Sequence, residues 1–271
     1  MLQSKLTPGG LKEVLITLKQ LKTVNLNTES CSLGRAWDDN TNNFHYYPNC
    51  AKVLGEHCSF LGSLDASYND LSAPHVSAFV GAWAPAQQPQ ETRLRTLTLN
   101  GNTIGSDGVE TLVKWVKDSC PLTTMNLIDC GVTERGAEAL VRLLADGKST
   151  SLALSSLDLR DNDVGPVTRD LAEAAQGLEY FNSIPIAELR GAVEPKQEPR
   201  LLSYPQQKLM AHGILALLLA LKEGCQTSAP CAALPSLELQ NTQLLGYHLD
   251  RPEAIDEICE LLSAGQITHL E

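Results

Sequence analysis

The sequence predicts an α/β solenoid in which short parallel strands alternate with helices in stacked repeats. Two observations predict it. Apolar residues recur at fixed spacing in units of about 28 residues, and within each unit the apolar period changes from that of a strand to that of a helix. Because helices are wider than strands, such a stack bends into a right-handed horseshoe, with the parallel β-sheet on the concave face and the helices on the convex face.

The strand half of the unit is best developed at residues 94–104, with the pattern L-x-x-L-x-L-x-x-N-x-I. It recurs fully or in part at residues 21–26, 61–71, 122–132, 154–164 and 234–244. The central leucine of each strand points into the core while its two neighbours point outward. The central residues are predicted to lie side by side in one parallel sheet: Val24, Leu64, Leu97, Met125, Leu157, Ile184 and Leu237.

The asparagine of each pattern lies at the turn that follows the strand. Its amide group can donate two hydrogen bonds and accept others, so it can satisfy backbone groups of adjacent coils. We therefore expect a ladder of turn asparagines, with Cys130 and Thr242 fulfilling the role less completely.

A helix is predicted after each turn. Residues 108–116, 136–144 and 213–224 carry apolar residues at helical spacing and begin with glycine. A glycine at the start lets the helix approach the strand layer closely. Gly147 and Gly224 are predicted to close their helices.

These patterns resemble the ribonuclease-inhibitor-like subfamily of leucine-rich-repeat proteins. The resemblance covers nearly the whole chain, and it implies a single repeat domain over residues 1–271 with about eight full or partial repeats. Members of this subfamily share a fold and a capacity for protein binding, not one chemistry. The resemblance therefore implies protein partners and no particular reaction.

The repeat is interrupted by insertions near residues 31–47, 191–205 and 247–252. Helices are expected at 48–58 and 252–262, and a degenerate strand is expected near 202–204. Residues 181–186 are predicted to form a strand that no helix follows. Such insertions are either tolerated surface loops or partner-binding loops, and the sequence leaves both interpretations open.

Incomplete repeats lie at both ends of the sequence. Residues 6–18 match the second half of a unit, and residues 267–271 begin a new strand. Solenoids need polar caps, so we expect further repeats or other subunits to flank the chain.

The candidate binding surface is the concave face, where outward side chains of successive strands line up. These side chains are short, polar and mildly acidic, a composition that also suits close packing of parallel strands. The candidate partner-binding residues are Asn25, Asp65, Thr98, Asn100, Asn126, Asp158, Arg160, Glu238 and Gln240.

Composition excludes some classes of partner and environment. The 271 residues include 21 Lys and Arg against 32 Asp and Glu, a net charge of −11, which argues against direct nucleic-acid binding and permits a basic protein partner. The longest apolar stretch, residues 214–221, is too short to span a bilayer. Eight cysteines without paired spacing and the lack of a secretory pattern predict reduced thiols in an intracellular, cytoplasmic setting.

Residues suited to chemistry are few. His45, Cys50, His57 and Cys58 are close in sequence, but their spacing does not match a zinc framework. No phosphate-binding loop or nucleophile elbow is present, and Trp83 and Trp115 are expected to pack in the core or on the convex face rather than to stack on a ligand. The sequence therefore predicts a non-catalytic interaction scaffold or complex subunit without cofactor or metal. The alternative is a regulator of a GTPase, which an assay of GTP hydrolysis would distinguish.

Overall fold

The computed structural model describes residues 7–22, 25–38, 43–46, 48–83, 93–147, 153–191, 201–203, 208–227, 236–238, 255–256, 258–260 and 269–270. The chain divides into two compact units, Met1–Leu154 and Ser155–Glu271.

Strands and helices alternate through the first unit. In chain order they are α1 (Pro8–Gln20), β1 (Asn25–Asn27), β2 (Arg35–Asp38), β3 (Asn43–Tyr46), α2 (Asn49–His57), β4 (Ser63–Asp65), α3 (Ala73–Ala82), β5 (Thr96–Thr98), α4 (Gly105–Ser119), β6 (Thr124–Asn126) and α5 (Glu134–Gly147). The helices predicted from residues 6–18, 48–58, 108–116 and 136–144 are all confirmed.

Strands β1, β4, β5 and β6 pair in parallel in the order in which they follow one another along the chain. Their central residues Leu64, Leu97 and Met125 lie in register, and each is at most 1% exposed. The core of this unit therefore lies between the strands and helices α2 to α5, and the predicted α/β architecture is confirmed.

The first strand has a different register from the predicted one. Leu26, not Val24, lies opposite Leu64, and Asn25 lies opposite Ser63. Leu21 is 70% exposed, whereas the residues at the corresponding predicted position, Leu61 and Leu94, are fully buried. The alignment predicted for residues 21–26 is therefore wrong by two residues relative to β4.

The glycines near the helix starts allow neighbouring helices to pack closely. A Cβ atom at Gly136 would lie 3.0 Å from Ser106 Oγ on the preceding helix, and one at Gly108 would lie 3.5 Å from the Cα atom of Ala73 on α3. At these two glycines the close approach is to the adjacent helix. At Gly213 a Cβ atom would instead lie 2.7 Å from Asn182 Nδ2, in the turn directly after the strand residue Phe181.

The first insertion contains a β-hairpin. Strands β2 and β3 pair antiparallel, and residues just before β2 tie the hairpin to the turn after β4. The amide of Leu33 donates to Asn69 Oδ1 at 3.1 Å, and the amide of Gly34 donates to the Asn69 carbonyl at 2.9 Å. Arg35 also forms an ion pair with Asp70 at 2.8 Å. The base of the insertion is thereby fixed to the repeat.

Turn asparagines form the predicted ladder. Asn102 accepts from the amides of Asn69 and Leu71 at 3.0 and 2.9 Å and donates to the carbonyls of Ala66 and Leu99 at 3.0 and 2.7 Å. Cys130 takes the next position in the ladder, where its sulfur lies 3.1 Å from the Leu99 carbonyl. These hydrogen bonds satisfy backbone groups that are buried at the turns.

The second unit contains β7 (Ser156–Asp158), α6 (Thr168–Ala174), β8 (Tyr180–Phe181), α7 (Ile186–Gly191), β9 (Leu201–Ser203), α8 (Met210–Thr227), β10 (Ser236–Glu238) and β11 (His269–Leu270). Short 3₁₀ helices, Gly165–Val167 and Ala175–Gly177, flank α6. Strand β7 pairs in parallel with β8, and β10 pairs in parallel with both β9 and β11. The degenerate strand near 202–204 and the strand beginning at 267–271 are confirmed.

Several predictions in the second unit are wrong. Leu237 was expected in one sheet with Leu157, but its strand β10 belongs to a separate sheet with β9 and β11. Phe181, not Ile184, lies opposite Leu157, and the short helix α7 follows this strand where none was expected. Asn182 explains the early turn, because it accepts from the Leu159 amide at 2.8 Å and donates to the Leu209 carbonyl at 3.1 Å.

Gly224 does not close its helix, since α8 continues to Thr227. A Cβ atom at Gly224 would overlap the carbonyl oxygen of Leu189. This glycine therefore allows α7 to lie close to α8. The insertion at 247–252 lies outside the described residues, and the helix predicted at 252–262 is described only at residues 255–256 and 258–260, which are helical.

Candidate functional site

The outward side chains of β4, β5 and β6 form one polar row. Because the strands are in register, Asp65 lies next to Thr98, and Thr98 lies next to Asn126. Side chains alternate between the two faces of a strand, so these three project away from the buried Leu64, Leu97 and Met125. Each is partly exposed. We call Asp65, Thr98 and Asn126 the outward row.

Hydrogen bonds between repeats hold the outward row in place. Asn126 Nδ2 donates to Thr98 Oγ1 at 3.2 Å. Asp65 accepts from Asn27 Nδ2 at 3.3 Å through one carboxylate oxygen and from the Ser67 hydroxyl at 2.6 Å through the other. The row is thus a preorganised polar surface with its geometry fixed before any partner arrives.

Two other predicted residues of the first unit lie beside this row. Asn25 lies opposite Ser63, two residues before the row position on its strand, and Asn27, not Asn25, lies opposite Asp65. Asn100 lies beyond the strand end, and its Oδ1 accepts from the Ile128 amide at 3.0 Å. Asn25 therefore belongs to a different row from Asp65, which corrects the alignment predicted from sequence.

Asp158 and Arg160 of the second unit are bound to each other. Arg160 Nε lies 3.0 Å from Asp158 Oδ1, and its terminal nitrogen lies 2.7 Å from Oδ2. The Asp158 side chain is only 9% exposed, and Ser183 Oγ donates to it at 3.3 Å. This bidentate pair leaves little of the Asp158 carboxylate for a partner.

The last two predicted residues contribute little to a described site. The backbone of Glu238 forms the end of β10, opposite Ser203 of β9. Gln240 lies outside the described residues.

A buried histidine lies near the Asp158 pair and was not predicted from the sequence. His212 is 2% exposed, its ring lies 5.9 Å from that of Phe181, and its Nε2 has no hydrogen-bond partner among the described residues. Burial lowers the pKa of His212 to about 4, against smaller opposing effects of a backbone hydrogen bond at Leu159 and the carboxylates of Asp158 and Asp163. It is therefore neutral at pH 7, and a lone histidine in an apolar helix gives no pattern to predict it.

The cysteines near residues 50–58 are packing residues. Cys50 and Cys58 are buried, and burial raises the pKa of each thiol. Burial likewise raises the pKa of Cys120 and Cys130 to about 12. Burial thus disfavours the thiolate, which is the nucleophilic form of cysteine. The side chain of His45 is not described, and the described residues contain no group of three possible metal ligands.

Trp83 and Trp115 are buried, as predicted, and form an aromatic cluster with Phe79. The ring of Trp115 lies 4.9 Å from that of Trp83 and 5.3 Å from that of Phe79, both edge to face. This geometry is typical of core packing. Within the described ranges, none of the helices is both long enough and apolar enough to cross a bilayer.

Comparison with known proteins identifies the repeat. A family model described as a leucine-rich repeat matches residues 92–113, which include β5, the Asn102 turn and the first half of α4. The chain matches no curated protein. The matched segment is one of several units with the same strand, turn and helix, so the match supports a leucine-rich-repeat architecture.

Proposed function

We propose that this protein is a non-catalytic protein-interaction scaffold, or a subunit of a larger assembly, that binds partner proteins through its outward row and its inserted loops. Leucine-rich repeats generally mediate protein–protein interaction. The observation that carries the proposal is the outward row, in which Asp65, Thr98 and Asn126 stand in register on three successive strands.

The outward row has hydrogen-bonding capacity left for a partner. Thr98 Oγ1 accepts from Asn126, so its hydroxyl proton can be donated outward. The carbonyl oxygen of the Asn126 side chain and the second lone pairs of the Asp65 carboxylate can accept. Protein–protein interfaces carry about one hydrogen bond per 100–200 Å², so a fixed polar row of this kind suits the role.

The titratable groups argue for binding rather than catalysis. The described groups whose pKa departs most from its ordinary value are buried thiols and the buried His212, and none of them belongs to the outward row. A catalytic acid or base must reach its substrate. These groups are instead enclosed by the core.

The net charge supports a basic partner protein, and the buried thiols support an intracellular location. A net charge of −11 favours a basic partner protein over an acidic one, because it raises the association rate of positively charged proteins. The buried thiols of Cys50, Cys58, Cys120 and Cys130 fit a reducing, intracellular compartment.

The proposal is tested with a photo-crosslinking amino acid placed at Thr98, in protein expressed in its native source. The matched control carries the same group at Lys114, an exposed residue of α4. We expect a discrete protein adduct from position 98 and none from position 114.

The identified partner is then titrated against Thr98→Arg and Asn126→Arg, each of which should weaken binding at least about tenfold, or about 1.4 kcal/mol. Adducts from position 114 alone, or unchanged affinities, would contradict the proposal.

A further inference from the structure

An aromatic residue occupies a turn position that the other described repeats fill with serine, glycine or aspartate. Ser30 takes this position after β1, with a φ angle of +56°. Four residues after the central residues of β4, β5, β6 and β7 lie Tyr68, Gly101, Asp129 and Asp161, with φ angles of +53°, +65°, +52° and +59°. Glycine and aspartate tolerate this left-handed conformation, whereas a bulky side chain rarely adopts it. Tyr68 therefore adopts a left-handed backbone conformation that is unfavourable for tyrosine.

The Tyr68 ring packs against the neighbouring repeat. The amide of Tyr68 donates to the Asn100 carbonyl at 2.8 Å, and the ring lies against Gly101, where a Cβ atom would overlap two of its carbons. Tyr68 is nevertheless 55% exposed. One part of the ring thus covers the glycine, and the rest faces solvent.

The surroundings of the ring are acidic. Asp129 is exposed at the same turn position two repeats after Tyr68, one repeat beyond the Gly101 that the ring covers. Asp65 lies three residues before Tyr68, and Asp70 lies two residues after it, where Arg35 neutralises it at 2.8 Å. Both the face of an aromatic ring and a nearby carboxylate attract a cation.

We propose that Tyr68 and Asp129 form an anchoring site for an arginine or lysine side chain on a basic segment of a partner protein. The guanidinium or ammonium group lies on the exposed face of the Tyr68 ring, and the Asp129 carboxylate supplies the opposite charge. This inference rests on the proposed protein-binding function and names the chemistry of the partner. Exposed aromatic anchors of this kind commonly contribute most of the affinity of an interface.

The test uses tri-arginine amide as the probe, so it does not depend on an identified partner. The protein is labelled with ¹³C in its tyrosine rings and titrated at low ionic strength, with triglutamate amide as the oppositely charged control. We expect a saturable shift of the Tyr68 ring resonance with tri-arginine amide only.

Variants then separate the ring from the charge. Tyr68→Phe keeps the aromatic face and should retain binding, whereas Tyr68→Leu keeps an apolar cover over Gly101 and should weaken binding about two- to fivefold. Asp129→Asn should weaken it by a similar factor. The matched controls are Tyr180→Leu, at a tyrosine that is 48% exposed on β8, and Asp118→Asn, at an exposed carboxylate of α4; neither should change binding.

Equal binding by wild type, Tyr68→Leu and Asp129→Asn would overturn the inference and would leave Tyr68 as a cover for the Gly101 backbone. Thermal melting checks that Tyr68→Leu folds. Since Asp129 is exposed, Asp129→Asn decides the matter if the leucine variant does not fold. If tri-arginine amide does not bind at Tyr68 but position 98 still crosslinks to a partner, the Tyr68 site is refuted and the outward row stands. If tri-arginine amide binds but position 98 gives no adduct, the outward row is refuted and the Tyr68 site stands.

Discussion

Replacing Asn102 with alanine should destabilise the protein far more than an ordinary substitution. Asn102 is 1% exposed and makes four short hydrogen bonds, two accepted from the amides of Asn69 and Leu71 and two donated to the carbonyls of Ala66 and Leu99. At about 1 kcal/mol net for each bond, the loss is about 4 kcal/mol. Water entering the vacated space would reduce this value, and unsatisfied buried groups would increase it, so we expect a loss of about 3–5 kcal/mol.

The same reasoning predicts the opposite sign at Cys130. Its thiol lies 3.1 and 3.5 Å from the carbonyls of Leu99 and Ile128, and a thiol is a weaker donor than an amide. Cys130→Asn should complete the ladder with a stronger set of bonds. We expect it to increase the free energy of unfolding by about 1 kcal/mol.

Urea denaturation followed by circular dichroism measures both effects. Asn100→Ala is the matched control, because the Asn100 side chain makes a single partly buried bond to the Ile128 amide and should cost at most about 1 kcal/mol. A loss at Asn102 no larger than that at Asn100 would refute the reasoning. So would a Cys130→Asn variant that is clearly less stable than the wild type.

Two further predictions concern the core. Leu127→Ala and Leu159→Ala, at fully buried positions, should each lower the free energy of unfolding by about 2–5 kcal/mol in urea denaturation, and a loss below about 1 kcal/mol would show that the repeat register is misassigned. His212 is neutral when folded, with a pKa of about 4 that is lower than its ordinary value, and it lies near Asp158 and Asp163. The unfolded state therefore binds more protons at this residue between pH 4 and 6.5, so the contribution of His212 to stability should be nearly constant above pH 6.5 and fall by about 3 kcal/mol as the pH drops to 4. A His212→Leu variant that keeps the same pH dependence would contradict this assignment.

The best-developed repeats could be predicted because several independent constraints coincide. Residues 94–104 combine strand alternation, a turn asparagine and a helix that begins near Gly105. The structure places Leu97 and Asn102 where each of those constraints requires. Side-chain spacing alone is sufficient there, since only one register buries all the leucines.

The degenerate repeats could not be predicted in the same way, because more than one register buries a similar number of apolar residues. In the segment 21–26 the spacing fits either Val24 or Leu26 as the central residue, and no turn asparagine follows to decide between them. In the segment 181–186 the asparagine comes directly after Phe181, so the turn is shorter than the pattern allows. Register there depends on pairing with the neighbouring strand, which a single sequence does not contain.

The strand positions of the candidate site could be predicted from the sequence, but its side-chain pairing and turn conformation could not. The positions of Asp65, Thr98 and Asn126 follow from strand alternation. The pairing of Arg160 with Asp158 depends on rotamers, and the left-handed turn at Tyr68 is hidden because tyrosine is not a residue that signals such a turn. Local side-chain conformation is therefore where sequence patterns give least guidance.

Amide hydrogen exchange in the presence and absence of the crosslinked partner tests the central claim most directly. We expect binding to slow exchange in segments 96–100 and 124–128, which carry Thr98 and Asn126 of the outward row, and to leave exchange in α4 and α5 unchanged. Protection confined to α4 and α5, with no change in the two strand segments, would contradict it.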